Sequence, residues 1–312
     1  MKKITDWVIM LIVFVVIIAL VVLGLNYYFP THSTPDQSSK TTHIVHKATK
    51  TKKKHIRITA LGDSLTQGVG DSKNEGGYTK RLQKKIKSNY NVKTKVANYG
   101  VSGERSDQIL KRVKQDSKLQ KSIKNSDAIT ITVGGNDLFQ ALQKYSTASS
   151  GEFTLSLEKL NIKYATHVQD LLKQVRKYNS NAPIYVVGIY NPFFVYFPNI
   201  TQINKAITNF DETTQAAVSQ TKSAYFISVN KLLSRGQYQS AKSLSELKQS
   251  STAKSIDDMQ ISKVEKNLEN TKEKNIYISS SDHFHPNPTG YDQMTRLLLR
   301  SLHTHDQWLY EE

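Results

Sequence analysis

The first long pattern in the chain is apolar and uncharged, from Val8 to Leu25. Eighteen helical residues rise roughly 27 Å, about one hydrocarbon core, so residues 1–30 are predicted to hold one membrane-spanning helix. Lys2 and Lys3 flank one end, whereas the first lysine beyond the other end is Lys40. The positive-inside rule therefore predicts a single-pass protein of the cell membrane, with a cytoplasmic N-terminus and the bulk of the chain extracellular. No small-x-small cleavage site follows the run, which favours an uncleaved anchor over a signal peptide. Residues 31–55 are rich in Ser, Thr and Lys and predict a disordered basic linker.

From Ile56 the pattern changes. Short apolar runs at 56–61, 92–98, 128–133, 183–189 and 224–229 read as strands. Helical periodicity lies between them, at 77–86, 106–114, 155–178 and 203–221, and again at 288–302. Strands this uniformly apolar, alternating with helices, predict an α/β domain over 56–305: a parallel sheet with helices on both faces. Residues 231–275 break the rhythm. They are rich in Ser, Lys and Glu with no strand signal, and read as an insertion, helical in part near 261–272. Residues 276–278 return the chain to the domain. Asn287 and Pro288 suit the N-cap and first residue of the closing helix. Residues 306–312 read as a tail, with His303, His305 and Asp306 as solvated groups rather than ligands. His167 falls in a helical stretch and reads as structural or exposed.

Charge narrows the partners. The 43 Lys+Arg against 26 Asp+Glu give a net charge of +17. Residues 1–55 hold eight Lys and two Asp, so the remainder is still basic at +11. Beside a membrane, such a surface suits anionic lipid or anionic wall polymer, and the Lys50–Lys54 cluster of the linker is a candidate contact. Nucleic acid is not favoured: the chain has no zinc-ligand spacing, no RNP-like aromatic motif and no clear recognition helix. Hydrophobic residues make up 38% of the 312, enough for a core in a chain this long. There is no cysteine, which excludes disulfides, thiol catalysis, Cys-ligated metals and a lipobox anchor.

Four short segments then fall at one end of the predicted sheet. Gly62-Asp63-Ser64-Leu65 follows the first strand, and Asn98-Tyr99-Gly100-Val101-Ser102-Gly103 closes the second. Gly134-Gly135-Asn136-Asp137 follows the third, and Asp282-His283-Phe284-His285-Pro286 precedes the last helix. These residue types supply what acyl transfer needs. A serine hydroxyl needs a base, a histidine can be that base, and a carboxylate can hold the imidazole in the useful tautomer. Glycine N–H groups and an asparagine amide can meet an oxyanion. A metal site at Asp282, His283 and His285 is the rival reading of the last segment; it lacks further clear ligands. The aromatic loop 190–197 (YNPFFVYF) is either a substrate lining or core packing.

The four segments, in this order, resemble the GDSL, or SGNH, hydrolase family over about residues 56–303. The overall layout is similar to membrane-anchored GDSL-type lipase/acylhydrolases of Gram-positive bacteria. The resemblance implies a flavodoxin-like three-layer α/β/α sandwich with a five-stranded parallel sheet. It implies Ser64 as nucleophile, His285 as base and Asp282 as orienting acid. The oxyanion hole would be the N–H groups of Ser64 and Gly103 with the side chain of Asn136. No metal or organic cofactor is implied. The expected function is that of a serine esterase or lipase on carboxylic esters, lysophospholipids among them. The alternatives are an O-acetyl esterase on cell-wall glycan and, in another class, a non-catalytic surface binding protein on a hydrolase scaffold. Asn136 and His285 are 149 positions apart, more than a minimal member of the fold needs, and 231–275 accounts for part of that.

Overall fold

The structure, a computed structural model, describes residues 50–145, 148–251 and 272–311. The membrane-helix expectation, most of the linker and nearly all of the 261–272 helix lie outside the described residues. Among the described residues no helix is long and apolar enough to cross a membrane.

Five strands form one sheet: β1 His55–Gly62, β2 Lys93–Gly100, β3 Ala128–Thr132, β4 Ile184–Val187 and β5 Ala224–Ile227, in the order β2-β1-β3-β4-β5. All four pairings are parallel. The central strands are buried on both faces, β3 and β4 at every residue, which is why they read as apolar runs rather than alternating ones. The helices are α1 Ser64–Gln67, α2 Gly77–Tyr90, α3 Ser106–Gln115, α4 Ser117–Lys124, α5 Gly135–Lys144, α6 Ser150–Tyr178, α7 Thr201–Ser219, α8 Asn230–Arg235, α9 Ala241–Ser250 and α10 Pro288–Thr304. One face of the sheet packs against α3 to α7 through Ile109, Leu119, Leu138, Val168 and Ile207. The other packs against α2 and α10 through Leu82, Ile86, Met294 and Leu298. Two apolar layers on one sheet make the three-layer sandwich.

Several boundaries differ from the sequence expectation. β2 starts one residue later and runs to Gly100, where its register brings Gly100 opposite Gly62. β4 and β5 are shorter than expected, because pairing ends at Val187 and Ile227. Where residues 276–278 return the chain to the domain, Ile278 forms an isolated bridge to Pro286. α6 begins at Ser150, where Ser149 and Glu152 form a capping box. Residues 231–275 open with two packed helices, in which Leu233 and Leu247 are buried.

The tail expectation is corrected. Residues Asp306–Leu309 form a 3₁₀ turn, Trp308 is 1% exposed, and its indole N–H donates to the Leu302 carbonyl at 2.9 Å. His305 stacks on Tyr225 with ring centroids 3.6 Å apart. Residues 51–53, at the end of the expected linker, lie antiparallel to this segment: Lys53 N–H donates to Leu309 O at 2.9 Å and Glu311 N–H to Thr51 O at 2.8 Å. The charges of the tail drew the solvated reading, but the apolar area of Trp308 and Leu309 decides the packing.

Candidate active site

The site grows from the end of β1. Gly62 has no room for a side chain: a Cβ there would stand 2.2 Å from the Thr132 hydroxyl and 2.5 Å from its carbonyl oxygen. The chain turns, and Asp63 caps α1 by accepting from Leu65 N–H at 3.0 Å. Thr132 Oγ donates to the same carboxylate at 2.7 Å. Asp63 is buried, and burial pushes its carboxyl above the usual range against the pull of these two donors. Thr66 Oγ pairs with Thr132 Oγ at 2.8 Å and with Tyr78 OH at 2.9 Å, and Tyr78 reaches Thr130 at 3.0 Å. This chain of hydroxyls fixes the turn from below. Ser64, the first residue of α1, is only 5% exposed.

The last described loop supplies the partner. His285 Nε2 lies 2.8 Å from Ser64 Oγ, and His285 Nδ1 lies 2.8 Å from Asp282 Oδ2. The other Asp282 oxygen accepts from the N–H groups of Phe284 and His285, both at 3.0 Å. Burial pushes the Asp282 carboxyl up, but His285 and the two amides outweigh it and hold it below the usual carboxylate range. The loop is tied at each end. Asn287 caps α10 by accepting from Gly290 N–H at 2.9 Å, while its amide donates to Ile276 O and Ile278 O. Tyr190 OH donates to Phe284 O at 2.7 Å.

The two remaining motifs are tied to each other by hydrogen bonds, and the second of them reaches the cleft beside Ser64. Gly103 sits at φ +83°, in the left-handed region, on an exposed loop after β2. Asn136 is the second residue of α5, and its amide donates to Glu104 O at 2.9 Å, while Gln140 donates to Gly103 O at 2.9 Å. Arg112 binds the Glu104 carboxylate at 2.7 Å and donates to Tyr99 O and Gly62 O. It thereby joins the loop to the ends of β2 and β1. Asn136 and Ser64 line one cleft of about 340 Å³, open mouth included, with Leu65, Phe139, Tyr190 and Pro192.

An alcohol held by an imidazole whose other nitrogen meets a carboxylate can attack a carbonyl carbon. The expected metal reading of Asp282, His283 and His285 does not match this geometry. His283 turns away and pairs with buried Glu273, Nδ1 to Oε2 2.5 Å. Asp107, Asp137 and His167 do gather within 4.8 Å. Both Asp137 oxygens, however, accept from Ser106, and Asp107 accepts from Arg105. His167 Nδ1 lies 3.1 Å from Ser106 Oγ, consistent with the structural reading.

The profile of the GDSL-like lipase/acylhydrolase family matches residues 60–293, which spans all four segments. The chain belongs to this family. It is an ester hydrolase, similar in sequence to YpmR of Bacillus subtilis, which is named an uncharacterized protein: 31% identical over 258 residues, 82% of this chain and 85% of that one. It is also similar to the spore germination lipase LipC of Bacillus licheniformis, 28% identical over 157 residues, 50% of this chain and 72% of that one. Among solved structures, the lipase Lip_vut3 from a goat rumen metagenome superposes with a TM-score of 0.58 at 22% identity, covering 79% of this chain and 97% of that one. That likeness concerns the fold.

Sequence reasoning passed over Thr66, Tyr78, Thr132, Arg112, Gln140 and Glu273. All act by contacts between segments distant in the chain, and none belongs to a motif that local spacing reveals. The 190–197 loop divides between its two readings. Tyr190 and Pro192 line the cleft, whereas Phe194 and Val195 pack on Leu247 of α9.

Proposed function

We propose that this chain is a membrane-tethered, extracellular serine esterase that hydrolyses acyl esters of lipids through an acyl-enzyme. One observation carries the reading: the continuous line Ser64 Oγ, His285 Nε2, His285 Nδ1, Asp282 Oδ2, with 2.8 Å at both hydrogen bonds. Ser64 attacks the ester carbonyl and His285 takes its proton. Asp282 holds the ring and stabilises the imidazolium. The N–H groups of Ser64 and Gly103 and the free N–H of the Asn136 amide receive the oxyanion. His285 then protonates the departing alcohol, and water, activated by the same ring, releases the acid. The apolar walls of the cleft, with Phe139, Ile189, Pro192 and Phe284 among them, support an apolar acyl group, as does the likeness to a named lipase. The tether rests on the uncharged run from Val8 to Leu25.

The test is a series of p-nitrophenyl esters from acetyl to palmitoyl, with Ser64→Ala as the blank. Turnover that rises with chain length and vanishes in the variant is expected. A strict preference for acetyl would replace lipid by O-acetyl glycan. Turnover that survives in Ser64→Ala would overturn the mechanism. Absence of turnover at every length would leave a binding protein on a hydrolase scaffold.

A further inference from the structure

The net positive charge of the folded domain comes from one stretch of it. Residues 76–125, which are α2, β2, α3, α4 and their loops, hold fourteen Lys+Arg and three Asp+Glu, a net charge of +11. The rest of 56–312 is balanced, with twenty-one of each sign. This basic fifty-residue stretch flanks one edge of the sheet, because β2 is an edge strand. Lys93 and Lys95 are exposed on β2 itself, Lys80, Lys84, Lys85 and Lys87 on α2, and Lys111, Lys114, Lys118, Lys121 and Lys124 on α3 and α4. Among the described residues only Lys84 of these eleven makes an ion pair, with Glu75 at 3.0 Å.

The elements are tied together at this edge. Gln83 of α2 accepts from Val96 N–H of β2 at 2.9 Å, and Tyr99 OH of β2 donates to Lys118 O of α4 at 3.3 Å. The Gln83 contact also covers an edge amide, which disfavours strand addition there. The three arginines of the stretch are occupied: Arg81 with Asp71, Arg105 with Asp107 and Arg112 with Glu104. No free guanidinium fork is left to read a fixed phosphate geometry. What remains is a broad field of mobile ammonium groups, each acting as a point charge. Val101, 40% exposed, stands at the carboxyl end of β2 beside this field.

We propose that the β2 edge is a docking face for an anionic lipid surface. Lipid headgroups rearrange laterally under each lysine, so a bilayer can satisfy charges spread over two helices and a strand without a shaped groove. Each lysine that reaches the surface contributes about fivefold in binding. Val101 adds an apolar contact at headgroup level. Docking at this edge brings the Gly103 loop, which continues directly from β2, to the membrane.

The test uses the full-length chain reconstituted in vesicles of phosphatidylcholine alone or with one-third phosphatidylglycerol. Exposed lysines are acetylated briefly and read by mass spectrometry. Lys93, Lys95, Lys118 and Lys121 are expected to be protected several-fold in the anionic vesicles relative to Lys205 and Lys222, with the difference lost at high salt. The combined variant Lys93→Glu, Lys95→Glu, Lys118→Glu and Lys121→Glu should lose protection at Lys80, Lys85 and Lys124. It should also keep parental turnover of a soluble ester, which shows that it is folded. Equal protection of all exposed lysines, or equal results in the two vesicle types, would overturn the proposal. So would protection by soluble polyglycerol phosphate without protection by vesicles, which would assign the face to a linear polyanion. The footprint does not depend on turnover, so it stands or falls separately from the esterase mechanism.

Discussion

At the scale of single residues, the site is a set of ordinary groups made reactive by their neighbours. Asn136 donates one N–H to Glu104 O, which orients the other toward the cleft. Asn136→Ala is therefore expected to lower kcat by roughly 10²–10³; a loss within twofold would remove it from the oxyanion hole. Arg112 is not among the residues that line the cleft, yet it holds Gly62 O, Tyr99 O and the Glu104 carboxylate. Arg112→Gln should misplace the Gly103 N–H and lower kcat by roughly 10–10² with KM nearly unchanged. Steady-state kinetics with a short-chain ester separates this from a simple loss of stability, which would lower the active fraction but leave the turnover of each folded molecule intact.

At the scale of elements, the closing segment matters more than its length suggests. Trp308 packs edge-on against Tyr90 of α2, with centroids 5.3 Å apart, and fills the face that α2 and α10 share. Trp308→Ala should cost about 3–5 kcal/mol, seen as a lower urea midpoint with an unchanged slope. A second element-level effect centres on Asp211 of α7. Burial pushes its carboxyl up to about 7, although Ile189 N–H and Asn230 donate to it. The folded state thus binds a proton that the unfolded chain has released, from about pH 4 to about pH 7. This group's contribution therefore falls as pH rises through that window, by an amount on the order of a few kcal/mol. Asp211→Asn keeps an acceptor for Ile189 and removes the charge. Relative to the parent, the variant should gain stability between about pH 5 and about pH 8; parallel denaturation curves at the two pH values would contradict this.

At the scale of the molecule, two kinds of information separate. The order of strands and helices, the parallel sheet and the four motif segments were legible in the chain. Apolar runs of five or six residues can be buried only in a sheet covered on both faces, and serine, glycine, asparagine and histidine at strand ends are local signals. The helices α1, α4, α5, α8 and α9 were not legible, because helices of four to ten residues carry few periodic positions and do not stand out reliably. The tail was misread for the converse reason: its charges are local, whereas the partner surface of Trp308 comes from α2 and α10. The sequence by itself determined the fold class and the residues available for acyl transfer. Only the tertiary structure decided that Ser64 and His285, 221 positions apart, meet at 2.8 Å, and that His283 belongs to Glu273 rather than to a metal set. It also brought the lysines of residues 76–125 around one sheet edge. Distance between side chains depends on strand order and packing, and these arise from burial summed over the whole domain, which no local stretch of sequence encodes.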